Sequence, residues 1–164
     1  MTAYIGLDIG YRNCGYGVTI EEPNGDLACA CGNLTTRGIE TMPAIYHELY
    51  GDMQQLVKEF QPIAIGIESV WFNHNKSTAF KVHGVGAIAM LIAQMHNLHF
   101  REYTPQQVKR AVTGSNTADK KSVQLATQRI YNLSTIPEPD HAADGLAVSY
   151  ALRNELKLLE RIKQ

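Results

Sequence analysis

Short apolar runs of strand character alternate along this chain with longer stretches whose apolar residues recur at helical spacing. Residues 3–10, AYIGLDIG, predict a buried strand, since Tyr4, Ile5, Leu7 and Ile9 are β-formers and the glycines permit close backbone approach. A tight turn leads to a second strand over 15–20. The turn chemistry of Pro23-Asn24-Gly25-Asp26 then leads to a third over 27–35, so the chain opens as a three-stranded antiparallel meander. Thr41-Met42-Pro43 predicts a helix start, and Ile45, Leu49, Met53, Leu56, Val57 and Phe60 form one apolar face that Pro62 ends. Residues 63–68 predict a buried strand laid beside the first. Residues 77–97 are apolar over a wide arc, which predicts a helix sandwiched between the core and either more core or a partner chain. A fifth strand follows over 98–103, then helices over 106–112 and 119–131, and a last helix opened by Pro139. The result is one α/β domain over 1–154 with a mixed sheet, followed by a charged tail over 155–164.

Composition narrows this picture without deciding it. The chain has 164 residues, 45% of them hydrophobic, enough for one domain with a real core. A formal net charge of -1 gives no global sign of nucleic-acid binding, so any such binding needs a local basic surface. Lys109, Arg110, Lys120, Lys121 and Arg129 supply one around the loop at 115–118, where phosphate contact is expected. Three cysteines, Cys14, Cys29 and Cys31, and no signal peptide point to a reducing cytoplasm. No apolar run is expected to reach the ~20 residues of a membrane span.

The candidate chemistry starts from Asp8, a lone carboxylate in an apolar run, costly to bury unless paired or bound to metal. Glu68 closes the neighbouring strand in the same way. His141 and Asp144 are three apart and project from one face of the last helix, while Asp140 is expected to cap that helix. If the helix crosses the strand ends, Asp8, Glu68, His141 and Asp144 converge. Several anionic groups in one volume repel unless protonated or bridged by cations, so the set predicts bound Mg²⁺ or Mn²⁺. Two such ions activate water and stabilise the leaving oxygen in phosphodiester hydrolysis. Trp71 and Phe72 sit in a polar loop, as a structural aromatic pair or as a stacking platform for bases.

YIGLDIGYRNCGYGV, AIGIESVW, YTPQQVKRAVTG with the following ADKK, and DHAADGLAV together resemble the RuvC Holliday junction resolvases of the RNase H-like fold. The resemblance runs in unbroken order from Tyr4 to about Leu152. It implies a five-stranded mixed sheet flanked by helices and a homodimer, with the 77–97 helix as its expected interface. It also implies a divalent-metal-dependent endonuclease of recombination and repair that makes symmetric nicks with 5′-phosphate ends in four-way junction DNA. The family's acids fall on Asp8, Glu68 and Asp144, and His141 stands where aspartate is common, as metal ligand or general base. The junction-facing aromatic falls on Trp71, with Phe72 beside it. The basic residues fall on Lys109 and Lys120, next to Arg110 and Lys121, with Arg12 a further candidate. The branch-migration proteins RuvA and RuvB are the implied partners. Two rivals stand beside this reading. One is a non-cleaving junction binder of the same fold. The other is a fragment of an actin or sugar-kinase type phosphotransferase, which needs a second lobe.

Overall fold

A computed structural model describes residues 1–69 and 76–163. The strands are β1 (Thr2–Asp8), β2 (Asn13–Glu21), β3 (Leu27–Thr35), β4 (Ala64–Glu68) and β5 (His99–Tyr103). The helices are α1 (Met42–Phe60), α2 (Lys76–Met95), α3 (Pro105–Thr113), α4 (Lys120–Ile130) and α5 (Asp140–Ile162). The strands form one sheet in the order β3-β2-β1-β4-β5, antiparallel across β3, β2 and β1 and parallel across β1, β4 and β5. This is the expected mixed, helix-flanked sheet.

Strand alternation sends successive residues of each central strand to different cores. Ile5, Leu7 and Ile9 of the first strand segment, with Ile65 and Ile67, pack with Ile45, Leu49 and Val57 of α1 and Val85 and Ile92 of α2. Tyr4 and Ala64 face the other way and pack with Val108 of α3, Val123 of α4 and Ala147, Val148 and Leu152 of α5. Asp8 and Glu68 keep the parity of Tyr4 and Ala64, so both belong to the α5 side.

The long helix α5 lies very close to that face. A Cβ on Gly17 would overlap the backbone of Leu146 and Gly145, and one on Gly15 would overlap the carbonyl group of His141. Alanines and a glycine on the facing side of α5 (Ala142, Ala143, Gly145, Ala147) complete the close fit. A buried hydroxyl cluster adds a polar pin: Thr19 of β2 hydrogen-bonds both Tyr131, just after α4, and Ser149 of α5. Residues beyond 154 continue α5, with Leu156 buried and Glu155 accepting hydrogen bonds from Arg101 and Tyr103.

Two expectations need correction. By length and composition α2 is apolar enough to cross a membrane, against the reading that no run reaches that size. Its inner face (Val82, Val85, Ala89, Ile92) belongs to the core, while Phe80, Met90, Leu91 and Met95 on its other side are exposed, so among the described residues that outer side is left largely uncovered. Asp140 is not the N-cap of α5. Pro139 holds that position without a side-chain bond, and Asp140 is the first helical residue.

Candidate active site

The acids sit where the central parallel strands end. Leu7 pairs with Ile67 in the parallel register, and Asp8 and Glu68 each follow by one residue, leaving them side by side at one edge of the sheet. The close docking of α5 at Gly15 and Gly17 brings its first turn over the same edge. His141 Nδ1 lies 2.6 Å from Asp8 Oδ2, and ligand atoms of Asp8, His141 and Asp144 all lie within 4.8 Å of one another. Glu68 is outside that trio but borders the same cleft, of about 190 Å³, together with Asp8, Asp144, Lys109 and Lys120.

The cleft's electrostatics follow from crowding. Burial first, and then the neighbouring charges of Asp8 and Asp144, push Glu68 up from the usual 4.5 to about 7, against a smaller downward pull from Lys109. Burial and Asp8 also raise Asp144, with Lys120 and His141 pulling the other way. Three carboxylates crowded beside one imidazole fit a divalent cation, whose charge would remove the repulsion between them. Hard oxygens with one borderline nitrogen suit Mg²⁺ or Mn²⁺.

The basic residues at 109–110 and 120–121 separate into two sets, divided as the family resemblance divides them. Lys109 and Lys120 turn into the acidic cleft. Arg110 and Lys121 are exposed and do not line it, each being turned about 100° around its helix from the neighbouring lysine. Lys120 Nζ lies 3.0 Å from Asp140 Oδ2 and 3.6 Å from Asp144 Oδ2. Arg12 donates from Nη1 to the carbonyls of Thr36 (3.1 Å) and Ile39 (2.5 Å), bracing the segment between β3 and α1. Trp71 and Phe72 lie outside the described residues. The residue that sequence reasoning misplaced is Asp140: its i, i−20 relation to Lys120 leaves no local signal. A larger open concavity of about 940 Å³, lined by Gln54, Val57, Gln61, His96 and Leu98 among others, lies elsewhere. Its described lining holds a single carboxylate, Glu59, so the chemistry belongs to the smaller cleft.

A family model described as Crossover junction endodeoxyribonuclease RuvC matches residues 4–151, a span that contains all four converging residues. The chain belongs to the RuvC family. The RuvC of Natranaerobius thermophilus is 40% identical over 159 residues, covering 96% of this chain and 98% of that one. The solved structure of Thermus thermophilus RuvC superposes with a TM-score of 0.86 at 25% identity, covering 96% of both chains. A second Thermus RuvC structure, in complex with Holliday junction substrate, gives a TM-score of 0.85 at 22% identity over the same shares, a likeness of fold. The RuvC match covers β1 through the first half of α5, so the sheet edge and the helix that meets it are both family features.

Proposed function

We propose that this chain is a structure-selective endonuclease that resolves Holliday junctions in recombination and repair. It hydrolyses phosphodiesters with two Mg²⁺ or Mn²⁺ ions and leaves symmetric nicks with 5′-phosphate ends. The observation that carries this reading is the meeting of Asp8, His141 and Asp144 within 4.8 Å at the edge of a RuvC-family sheet. The ions, when bound, supply an activated water and a counter-charge at the leaving oxygen. Asp8, Glu68, Asp144 and His141 would hold them. His141 Nδ1 lies 2.6 Å from Asp8 Oδ2, and with the imidazole proton on Nδ1 Asp8 would accept it and Nε2 would be left as the free nitrogen. That nitrogen is assigned as a metal donor, with proton acceptance from the attacking water as the competing role. Lys109 and Lys120 face the cleft and would orient the scissile phosphate, while exposed Arg110 and Lys121, with Arg12, Trp71 and Phe72, would contact the flanking DNA.

The natural working unit is a homodimer joined through the exposed side of α2, so that two clefts address two opposed strands. RuvA and RuvB are its proposed partners and the cytoplasm its proposed compartment. The test is cleavage of a four-way junction beside a linear duplex of the same sequence, with each metal. Paired, ligatable nicks in the junction are expected, reduced at least ~100-fold in Asp8→Asn. His141→Asp should shift preference from Mn²⁺ toward Mg²⁺, because an oxygen donor replaces nitrogen. Junction binding without cleavage under either metal would instead mark a non-cleaving binder.

A further inference from the structure

Asp140 stands next to the proposed metal site without belonging to it, and both of its carboxylate oxygens are taken by one face of α4. Oδ2 meets Lys120 Nζ at 3.0 Å, and Oδ1 accepts from Gln124 Nε2 at 3.1 Å. Lys120 and Gln124 are four apart, one turn of the same helix. Lys120 occupies the first position of α4, after the Asp119 cap, in a turn with no acidic residue of its own. The helix dipole disfavours a cation there, so its place depends on tertiary partners. Its two partners compete: Asp140 at 3.0 Å, and Asp144 of the cleft at 3.6 Å.

We propose that Asp140 is a positioning residue that holds the Lys120 ammonium at the rim of the cleft and keeps it from occupying Asp144, the oxygen donor a divalent cation needs. Gln124 holds the Asp140 carboxylate in the orientation that receives the ammonium. With Asp140 neutralised, Lys120 turns its full charge onto Asp144 and competes with metal there. With Lys120 also removed, there is nothing left to compete. The proposal rests on the metal-dependent nuclease reading above.

The test is calorimetric titration of Mn²⁺ alone into the metal-free protein, with no DNA present. Asp140→Asn is expected to weaken Mn²⁺ binding about five-fold, the scale of an exposed ion pair, and Asp140→Glu to restore it to within about two-fold. In a Lys120→Met background, Asp140→Asn should change binding by less than about two-fold. Unaltered thermal midpoints across the set show that the fold is intact. An unchanged or tighter affinity in Asp140→Asn overturns the proposal. So does an equal loss in both backgrounds, which would mark the simple removal of a negative charge. If the wild type takes up no Mn²⁺, the metal-dependent reading itself falls and this proposal with it. A wild type that binds Mn²⁺ beside an indifferent Asp140→Asn removes this proposal alone.

Discussion

At the residue scale, Glu68 shows what holding a carboxylate in this half-buried cleft costs. Its carboxyl is raised from 4.5 to about 7 by burial and by the charges of Asp8 and Asp144. Between those values the folded state holds a proton that the unfolded chain has lost. Stability of the metal-free protein therefore falls as pH rises through that window, and above about 7 the full cost of an ionised Glu68 is present. Glu68→Gln should accordingly stabilise the metal-free protein at pH 8 by about 2 kcal/mol, a gain that fades as pH approaches 4.5. Thermal unfolding measured across that range, without divalent ions, checks it. A gain that is constant with pH would trace to packing instead of charge. The same substitution should weaken Mg²⁺ or Mn²⁺ binding, since it removes a charged oxygen donor from the cleft. Asp8, Glu68, His141 and Asp144 were legible because ionisable groups interrupt apolar strands or share a helix face. The second life of Asp140 was not: a carboxylate before an apolar run reads as a cap, and only the packing of α4 against α5 gives it Lys120.

At the element scale, the approach of α5 to β1 and β2 delivers His141 and Asp144 to Asp8. Gly17 has the backbone of Gly145 and Leu146 where a side chain would go, whereas Gly51, within α1, has nothing within 4 Å. Gly17→Ala should cost about 3 kcal/mol or more, because backbone cannot yield as a flexible side-chain end can. Gly51→Ala should stabilise by up to about 1 kcal/mol, since it lowers the entropy of the unfolded chain without meeting an obstacle. Chemical denaturation of the two variants compares them directly. Loss of stability in both would mean that the spacing of α5 is not what Gly17 serves. Element identities followed from period and turn chemistry, and observed boundaries moved by a residue or two. The strand at 3–10 ends at Asp8 instead of running past it, which moves the acid from mid-strand to the end of the central strand, where its carboxylate is partly exposed.

At the scale of the whole molecule, α2 carries an exposed apolar stripe from Phe80 through Leu91 to Met95, with Phe80 at 78% exposure. A stripe running roughly 20 Å along a helix is large for an uncovered surface, and a two-fold partner would bury it twice over. Leu91→Glu should raise the dissociation constant of the proposed dimer roughly 100-fold, as for a central apolar anchor, without lowering the thermal midpoint of the chain. Analytical ultracentrifugation measures the first effect. On junction DNA the same variant should cut one strand at a time, with paired nicks lost. A wild type that stays monomeric at high concentration would remove this assembly. The wide apolar arc of α2 was visible in the sequence, but whether its second side met more of the same chain could not be read there.

By itself, the sequence determined the alternation of periods, the meander and crossover helices, and the four ionisable residues in family order. Those properties are local: they depend on residue type, spacing and turn chemistry. Tertiary structure alone decided how closely those groups approach, that Glu68 stands outside the trio of Asp8, His141 and Asp144, and that Asp140 grips Lys120 instead of capping its own helix. These depend on how far one element stands from another. That distance is governed by side-chain volume where the elements meet, at Gly15 and Gly17 of β2 and the small residues of α5 that face them, which no local pattern encodes.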